Sequence, residues 1–99
     1  MKKYIIKVTY LEGIHAGKEY YLNKQGFVVD NFGSIWQDSS YTERGCKTAC
    51  AKLEKNNNAE AAAEKAEREW NIAAGRKVSN YPIYVRSKYE PFAIETVDA

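Results

Sequence analysis

One histidine and two cysteines are the side chains of this sequence best suited to catalysis or metal binding. His15 stands in a glycine-flanked segment, and Cys46 and Cys50 are four residues apart. A histidine base or ligand needs an orienting partner, and no motif holds Glu12 in that role. A structural zinc site needs four ligands, while a nucleophilic thiol needs a base or a helix N-terminus. These residues therefore predict a solvated loop histidine and two core thiols, with no catalytic or metal site.

The short motifs of common enzymes are also missing from the sequence. It contains neither the glycine-rich nucleotide-binding loops GxxxxGKS/T and GxGxxG nor the HExxH and GxSxG motifs of hydrolases. We therefore expect a non-enzymatic binding protein that takes no cofactor.

The cysteines and the hydropathy pattern both bear on the compartment. Cys46 and Cys50 would share one face of a helix, where side chains tilt the same way and bridge poorly, so we expect reduced thiols. No apolar run approaches the roughly 20 residues of a membrane span, and the start of the chain lacks the apolar core of a signal peptide. We expect a cytoplasmic protein without membrane contact.

Length and composition are typical of one folded domain. The 99 residues are 44% hydrophobic and 28% charged, which is ordinary globular usage. This length supports one hydrophobic core and not two, so a single domain over residues 1–99 is predicted. Because the net charge is only +2, any surface for nucleic acid must be a local patch.

The first third of the chain has the patterning of short strands. Residues 3–11 alternate apolar and polar types, with Ile5 as the exception, and predict a half-buried strand. Residues 18–22, 27–29 and 34–37 follow as further strands between turns that contain glycine and asparagine. These segments predict an antiparallel meander of four strands.

The middle of the chain predicts helices. Ser40 and Glu43 have the spacing of a capping box, which predicts a helix start. An apolar stripe then runs to Lys55 through Cys46, Ala49, Cys50 and Leu53. Residues 59–74 carry a second stripe, followed by Gly75 as the left-handed C-terminal residue; its members are Ala62, Ala66, Trp70 and Ala73.

The two stripes are half a turn out of phase, because nine residues separate Leu53 from Ala62. A single straight helix cannot bury both stripes against one sheet. We expect the helix to break at Asn56–Asn58. The alternative is one long helix that presents the Trp70 stripe to another surface.

Residues 81–86 alternate well enough to form a strand, and Pro82 suits its start or an edge position. Pro91 then precedes residues 92–94, which form one more short strand or a packed tail. The order β-β-β-β-α-α-β, with or without that last strand, predicts an α+β fold. In this fold, helices pack on one face of an antiparallel sheet.

Two surfaces are candidates for partner binding. The first is an acidic helix face, Glu60, Glu64 and Glu67, in a segment whose local charge is −2. Such a face either binds a basic partner or keeps the helix solvated. The second is a basic, tyrosine-containing sheet face suited to phosphates and bases, formed by Lys3, Lys7, Tyr84, Arg86 and Lys88.

The opening Lys2-Lys3-Tyr4-Ile5-Ile6-Lys7-Val8, the short strands and the helix with Cys46 and Cys50 resemble small accessory proteins of bacteriophages and mobile elements. Anti-CRISPR proteins belong to this class, and the resemblance implies an inhibitor that binds a host complex stoichiometrically. Residues 3–55 are also similar to the arm-type DNA-binding domain of phage integrases, which reads DNA through its sheet face. That likeness does not extend to the acidic second helical segment.

Three partner classes follow from these surfaces. We expect a host protein or nucleoprotein complex bound by a non-enzymatic inhibitor or modulator. The alternative is a small DNA- or RNA-binding domain that uses the sheet face. A homodimer follows if a continuous helix exposes the stripe that contains Trp70.

Overall fold

A computed structural model describes residues 2–30, 35, 39–78 and 84–95. Its elements are strands β1 (Lys2–Tyr10) and β2 (Glu19–Leu22), helix α1 (Glu43–Ala73) and strand β3 (Ser87–Glu95). The strands form an antiparallel sheet in the order β2-β1-β3. The fold is therefore α+β, as predicted, but within the described ranges it has three strands and one helix rather than four or more strands and two helices.

The central strand β1 is covered on both faces. Ile6 and Val8 are buried on the face that meets α1, where they contact Cys46 and Cys50. Ile5 points to the opposite face and is buried with Ile35 and Ile94. Ile5, the exception to the alternation, thus belongs to a second small cluster.

The predicted hairpin of β1 and β2 is confirmed. Val8 lies opposite Tyr20 and Thr9 opposite Glu19. In the connection, Gly13 has a φ of +85°, and a Cβ there would lie 3.3 Å from Val85 Cγ1. Glycine suits this position because an L side chain would strain the backbone and crowd Val85.

The predicted strand at residues 27–29 is reduced to a single bridge between Leu22 and Val28. The Asn23 side chain accepts from the N–H groups of Gln25 and Phe27, each at 3.0 Å, and turns the chain back. Phe27 and Val28 are exposed, so this segment lacks the packing that would extend the ladder. The strand predicted at residues 34–37 lies outside the described residues, except for Ile35.

The helix begins later than the capping box predicts. Tyr41 forms two backbone hydrogen bonds with Tyr4, of 2.7 and 2.9 Å, and is therefore extended. Thr42 is the N-cap, and its side chain accepts from the Gly45 N–H at 3.1 Å. Ser40 is buried before this point and is not the cap, so the predicted start was wrong.

The expected break at Asn56–Asn58 does not occur, because α1 is continuous over 31 residues. It ends with Gly75 at a φ of +76°, as predicted. The helix continues through this segment, where Asn57 and Asn58 form side-chain hydrogen bonds with backbone atoms at the sheet edge. An apolar stripe is thus not required along its second half.

The last strand was also placed wrongly. Residues 84–86 are not a strand, residues 81–83 lie outside the described ranges, and β3 runs through Pro91. The N–H groups of Ser87 and Tyr89 point away from β1 toward α1. Pro91 is two residues beyond Tyr89, so the position of its missing N–H also faces away from β1. The pairing between β1 and β3 therefore loses no hydrogen bond.

Candidate interaction surface

The side of α1 that faces the sheet, here called the inner face, forms side-chain hydrogen bonds with backbone groups at the edge of the sheet. Asn57 Nδ2 donates to the Val85 carbonyl oxygen at 2.8 Å. Asn58 Oδ1 accepts from the Ser87 N–H at 3.2 Å, and Glu54 Oε1 accepts from the Tyr89 N–H at 3.2 Å. These side chains satisfy edge groups that would otherwise be open to another strand.

The predicted acidic face is divided by this arrangement. Glu64 Oε1 accepts from the Tyr84 N–H at 3.1 Å and so belongs to the inner side of the helix. Glu60 and Glu67 are exposed and make no ion pair within the described residues. We call Glu60 and Glu67 the acidic flank. It is the part of the predicted face that a partner can reach.

The stripe that contains Trp70 lies on the side of α1 opposite Cys46 and Cys50, as 100° per residue requires. All of its residues are exposed, and Trp70 retains 61% of its accessible surface. We call this stripe together with Ala59, which lies on the same side of the helix, the outer face; it comprises Ala59, Ala62, Ala66, Trp70 and Ala73. The domain's own core makes no use of it, which is the condition stated above for a homodimer.

Trp70 is held in place by its neighbours at the end of the helix. The Arg76 guanidinium lies 4.9 Å from the centre of the indole ring, a cation–π distance. Arg76 Nη1 also donates to Asn71 Oδ1 at 3.3 Å. The indole ring therefore has a contact with Arg76, although most of it faces solvent.

The predicted basic sheet face carries carboxylates between its cations. Lys7 Nζ lies 2.6 Å from Glu19 Oε2, and Lys88 Nζ lies 3.7 Å from Glu90 Oε1. The hydrogen bond to Glu19 is the main cause of the raised pKa of Lys7. These pairs lower the positive potential that Lys7 and Lys88 would present to phosphates.

The remaining residues of that predicted face are dispersed. Lys3 lies near the start of β1, opposite Ile94. Tyr84 and Arg86 are exposed in the segment before β3, and the Arg86 N–H donates to Glu12 Oε1 at 3.0 Å. Lys88 is the cross-strand partner of Thr9, which is two residues from Lys7 on β1, so the structure places Lys7 and Lys88 near one another. Tyr84 and Arg86 lie outside the sheet.

Cys46 and Cys50 are free and buried, as predicted. The Cys46 thiol donates to the Ile5 carbonyl oxygen at 3.4 Å. Burial raises the pKa of Cys46, and it raises the pKa of Cys50 to about 12. Protonated, buried thiols are poor nucleophiles, so this pair serves packing.

His15 is exposed in the hairpin loop, with its ring centre 6.1 Å from that of Tyr10.

A shallow groove with a volume of about 230 Å³ lies between α1 and the hairpin loop. Its described lining includes two cations, two carboxylates and one aromatic ring, contributed by Lys65, Arg68, Glu12, Glu64 and Tyr84. Both carboxylates accept from backbone N–H groups. No histidine, cysteine or serine is among these lining residues, so they supply no nucleophile with a base.

Among the described residues, no three side chains of the histidine, cysteine, aspartate and glutamate types cluster as metal ligands would. In the same part of the chain, no helix combines the length and the apolar character that crossing a membrane demands.

Sequence reasoning missed the inner-face residues Glu54, Asn57 and Asn58. Helical spacing places Asn57 in phase with Cys46 and Cys50, whereas Asn58 lies about 100° from the middle of that stripe. The break was expected because the apolar stripes before and after Asn56–Asn58 are half a turn out of phase. No protein-family model matches this chain, and comparison with curated proteins and with solved structures finds no match.

Proposed function

We propose that this chain is a non-enzymatic binding protein that inhibits or modulates a host protein complex by stoichiometric association. The observation that carries the proposal is the solvent-facing side of α1 between Ala59 and Ala73. It combines an exposed apolar face with unpaired carboxylates in a half of the helix where only Ala61 is buried.

The composition of this surface favours a protein partner. Trp70 offers a large exposed apolar area, and aromatic residues are enriched in protein interfaces. The carboxylates of Glu60 and Glu67 would repel phosphates and attract lysine or arginine side chains. The partner we propose is a protein with a basic rim at its contact site.

Nucleic-acid binding through Lys3, Lys7, Tyr84, Arg86 and Lys88 is the alternative, and it has less support. Lys7 and Lys88 each form an ion pair with a neighbouring carboxylate. A salt-dependent interaction with phosphates requires cations that are free to release counterions.

Affinity capture of the tagged chain from host lysate, with and without nuclease and at two salt concentrations, tests the proposal. The variant Glu67→Lys reverses one charge of the acidic flank. Its matched control is Glu95→Lys, which changes the net charge equally at an exposed residue of β3. We expect a stoichiometric protein to survive nuclease with the wild type and the control, and to be lost with Glu67→Lys.

Two results would contradict the proposal. One is full retention of the protein partner by Glu67→Lys, which would exclude the acidic flank. The other is capture of nucleic acid alone, falling steeply with salt, which would favour the sheet face.

A further inference from the structure

The two parts of α1 differ in how the rest of the domain supports them. In the first part, residues 43–61, both cysteines and Ala61 are buried, and polar side chains bind backbone groups at the sheet edge. In the remaining part, residues 62–73, no side chain is buried; we call it the distal segment. Its half-buried residues are all polar: Glu64, Arg68 and Asn71. Burial of apolar surface therefore stabilises chiefly the first part of the helix.

The distal segment ends in local contacts around Arg76. The Arg76 guanidinium lies 4.9 Å from the centre of the Trp70 ring, and Arg76 Nη1 donates to Asn71 Oδ1 at 3.3 Å. The Arg76 N–H donates to the Asn71 carbonyl oxygen at 2.9 Å, after Gly75 has turned the chain with a φ of +76°. Within the described part of the chain, the side chains of residues 65–73 form no hydrogen bond or ion pair with a residue outside 65–76. Contacts within this segment therefore close the end of the helix.

We propose that the distal segment unwinds and re-forms independently of the rest of the domain, and that Arg76 sets the fraction of time it is helical. The first part of α1 supplies the helical nucleus, so the segment can regain its turns without a nucleation step. Each added residue of a good helix former carries an equilibrium constant of about 1–1.6, so the eight residues 66–73 together contribute a factor below about 50. Trp70 and Asn71 are weaker helix formers and lower this factor.

Local unwinding would regulate the partner surface, and this step rests on the proposed function. A partner that binds Glu67 and Trp70 in their helical arrangement has an apparent affinity proportional to the helical fraction of the segment. A cation–π contact at an exposed site changes an equilibrium constant by a factor of about two to five. The Arg76 contact would therefore control partner affinity within that range.

Amide hydrogen exchange of the full chain, measured in the absence of any partner, is the first experiment. We expect amides of residues 50–58 to exchange only through global unfolding, with protection of at least about 1,000-fold. Amides of residues 66–73 should show protection below about 50-fold that declines toward Ala73. Equal protection of the two parts, or protection above about 100-fold in residues 66–73, would overturn the proposal.

Limited digestion with trypsin provides an independent measurement on the same helix. Lys52, Lys55 and Lys65 are exposed residues of one type, so they are matched cleavage sites that differ in the support of the surrounding helix. Cleavage requires local unwinding, and we expect it at Lys65 at least about tenfold faster than at Lys52 or Lys55. Equal rates at the three sites would contradict independent unwinding.

The variant Arg76→Ala tests the role of the contact with Trp70. We expect exchange of the amides of residues 70–75 to become about two- to fivefold faster. The matched control is Lys77→Ala, which removes the same charge at an exposed residue and should leave these rates unchanged. Unchanged exchange in Arg76→Ala would overturn the role of Arg76. Capture of a host partner by a chain whose distal segment is fully protected would leave the proposed function standing, while the unwinding would be excluded.

Discussion

Replacing Asn58 by alanine tests whether side chains of α1 complete the edge of the sheet. Asn58 Oδ1 accepts from the Ser87 N–H at 3.2 Å, and Ser87 is only 2% exposed. Alanine leaves this buried donor without its acceptor, at a cost of about 1–3 kcal/mol. The higher helix propensity of alanine returns about 0.5 kcal/mol. We therefore expect the free energy of unfolding to fall by about 1–2 kcal/mol.

The assay is urea and thermal unfolding followed by circular dichroism, with the denaturant slope checked for constancy. A loss of this size lowers the melting temperature by roughly 5–15 °C for a domain of about 100 residues. Two controls share the same turn of the helix. Asn58→Asp keeps an oxygen acceptor and should be nearly neutral, while exposed Asn56→Ala should be neutral or slightly stabilising.

The decisive comparison is between the two alanine variants. If Asn58→Ala proves as stable as Asn56→Ala, the Ser87 N–H does not depend on the helix. The explanation given above for the unbroken helix would then be wrong.

Three further results are expected. Glu64→Lys should lower the free energy of unfolding by about 1 kcal/mol, since it removes the acceptor of the Tyr84 N–H, whereas Glu67→Lys should not; chemical denaturation compares them. Gly13→Ala should cost about 1–2 kcal/mol because of the positive φ and the close Val85 contact, and an unchanged melting temperature would contradict this. Burial raises the pKa of Cys50 from 9.0 to about 12, so the folded state holds this proton longer than the unfolded state. The contribution of Cys50 to the free energy of unfolding is therefore fully present below pH 9 and is lost as the pH rises toward 12. Over that range the urea midpoint of Cys50→Ala should fall less steeply than that of the wild type.

Local patterns predicted the parts of the fold whose causes are local. The alternation in residues 3–11 and the glycines after it are sufficient to indicate the hairpin, because side-chain period and turn chemistry act between near neighbours. The spacing of Cys46 and Cys50 indicated a shared buried face for the same reason. Gly75 was placed correctly because only a left-handed residue ends a helix in this way.

Non-local contacts account for the elements that were predicted wrongly. Asparagines in a helical segment predict a break only if their side chains have no partner, and the partners here are backbone atoms of Val85 and Ser87, about 28 residues away. Pro91 predicts an interruption unless its position faces the outer edge, which depends on the register between β1 and β3. The Tyr4–Tyr41 pairing that delays α1 joins residues still farther apart in sequence.

The candidate site shows the same division. The sequence by itself determined which residues share a helix face, because 100° per residue follows from covalent geometry and hydrogen bonding: Glu60 with Glu67, and Ala62 with Ala66 and Trp70. Only the tertiary structure decided which face meets the sheet. That choice depends on where the backbone groups of β3 and of the segment before it lie, and these groups bind Glu54, Asn57, Asn58 and Glu64. The Trp70 face was thereby left to solvent, although its composition alone would equally suit a buried core.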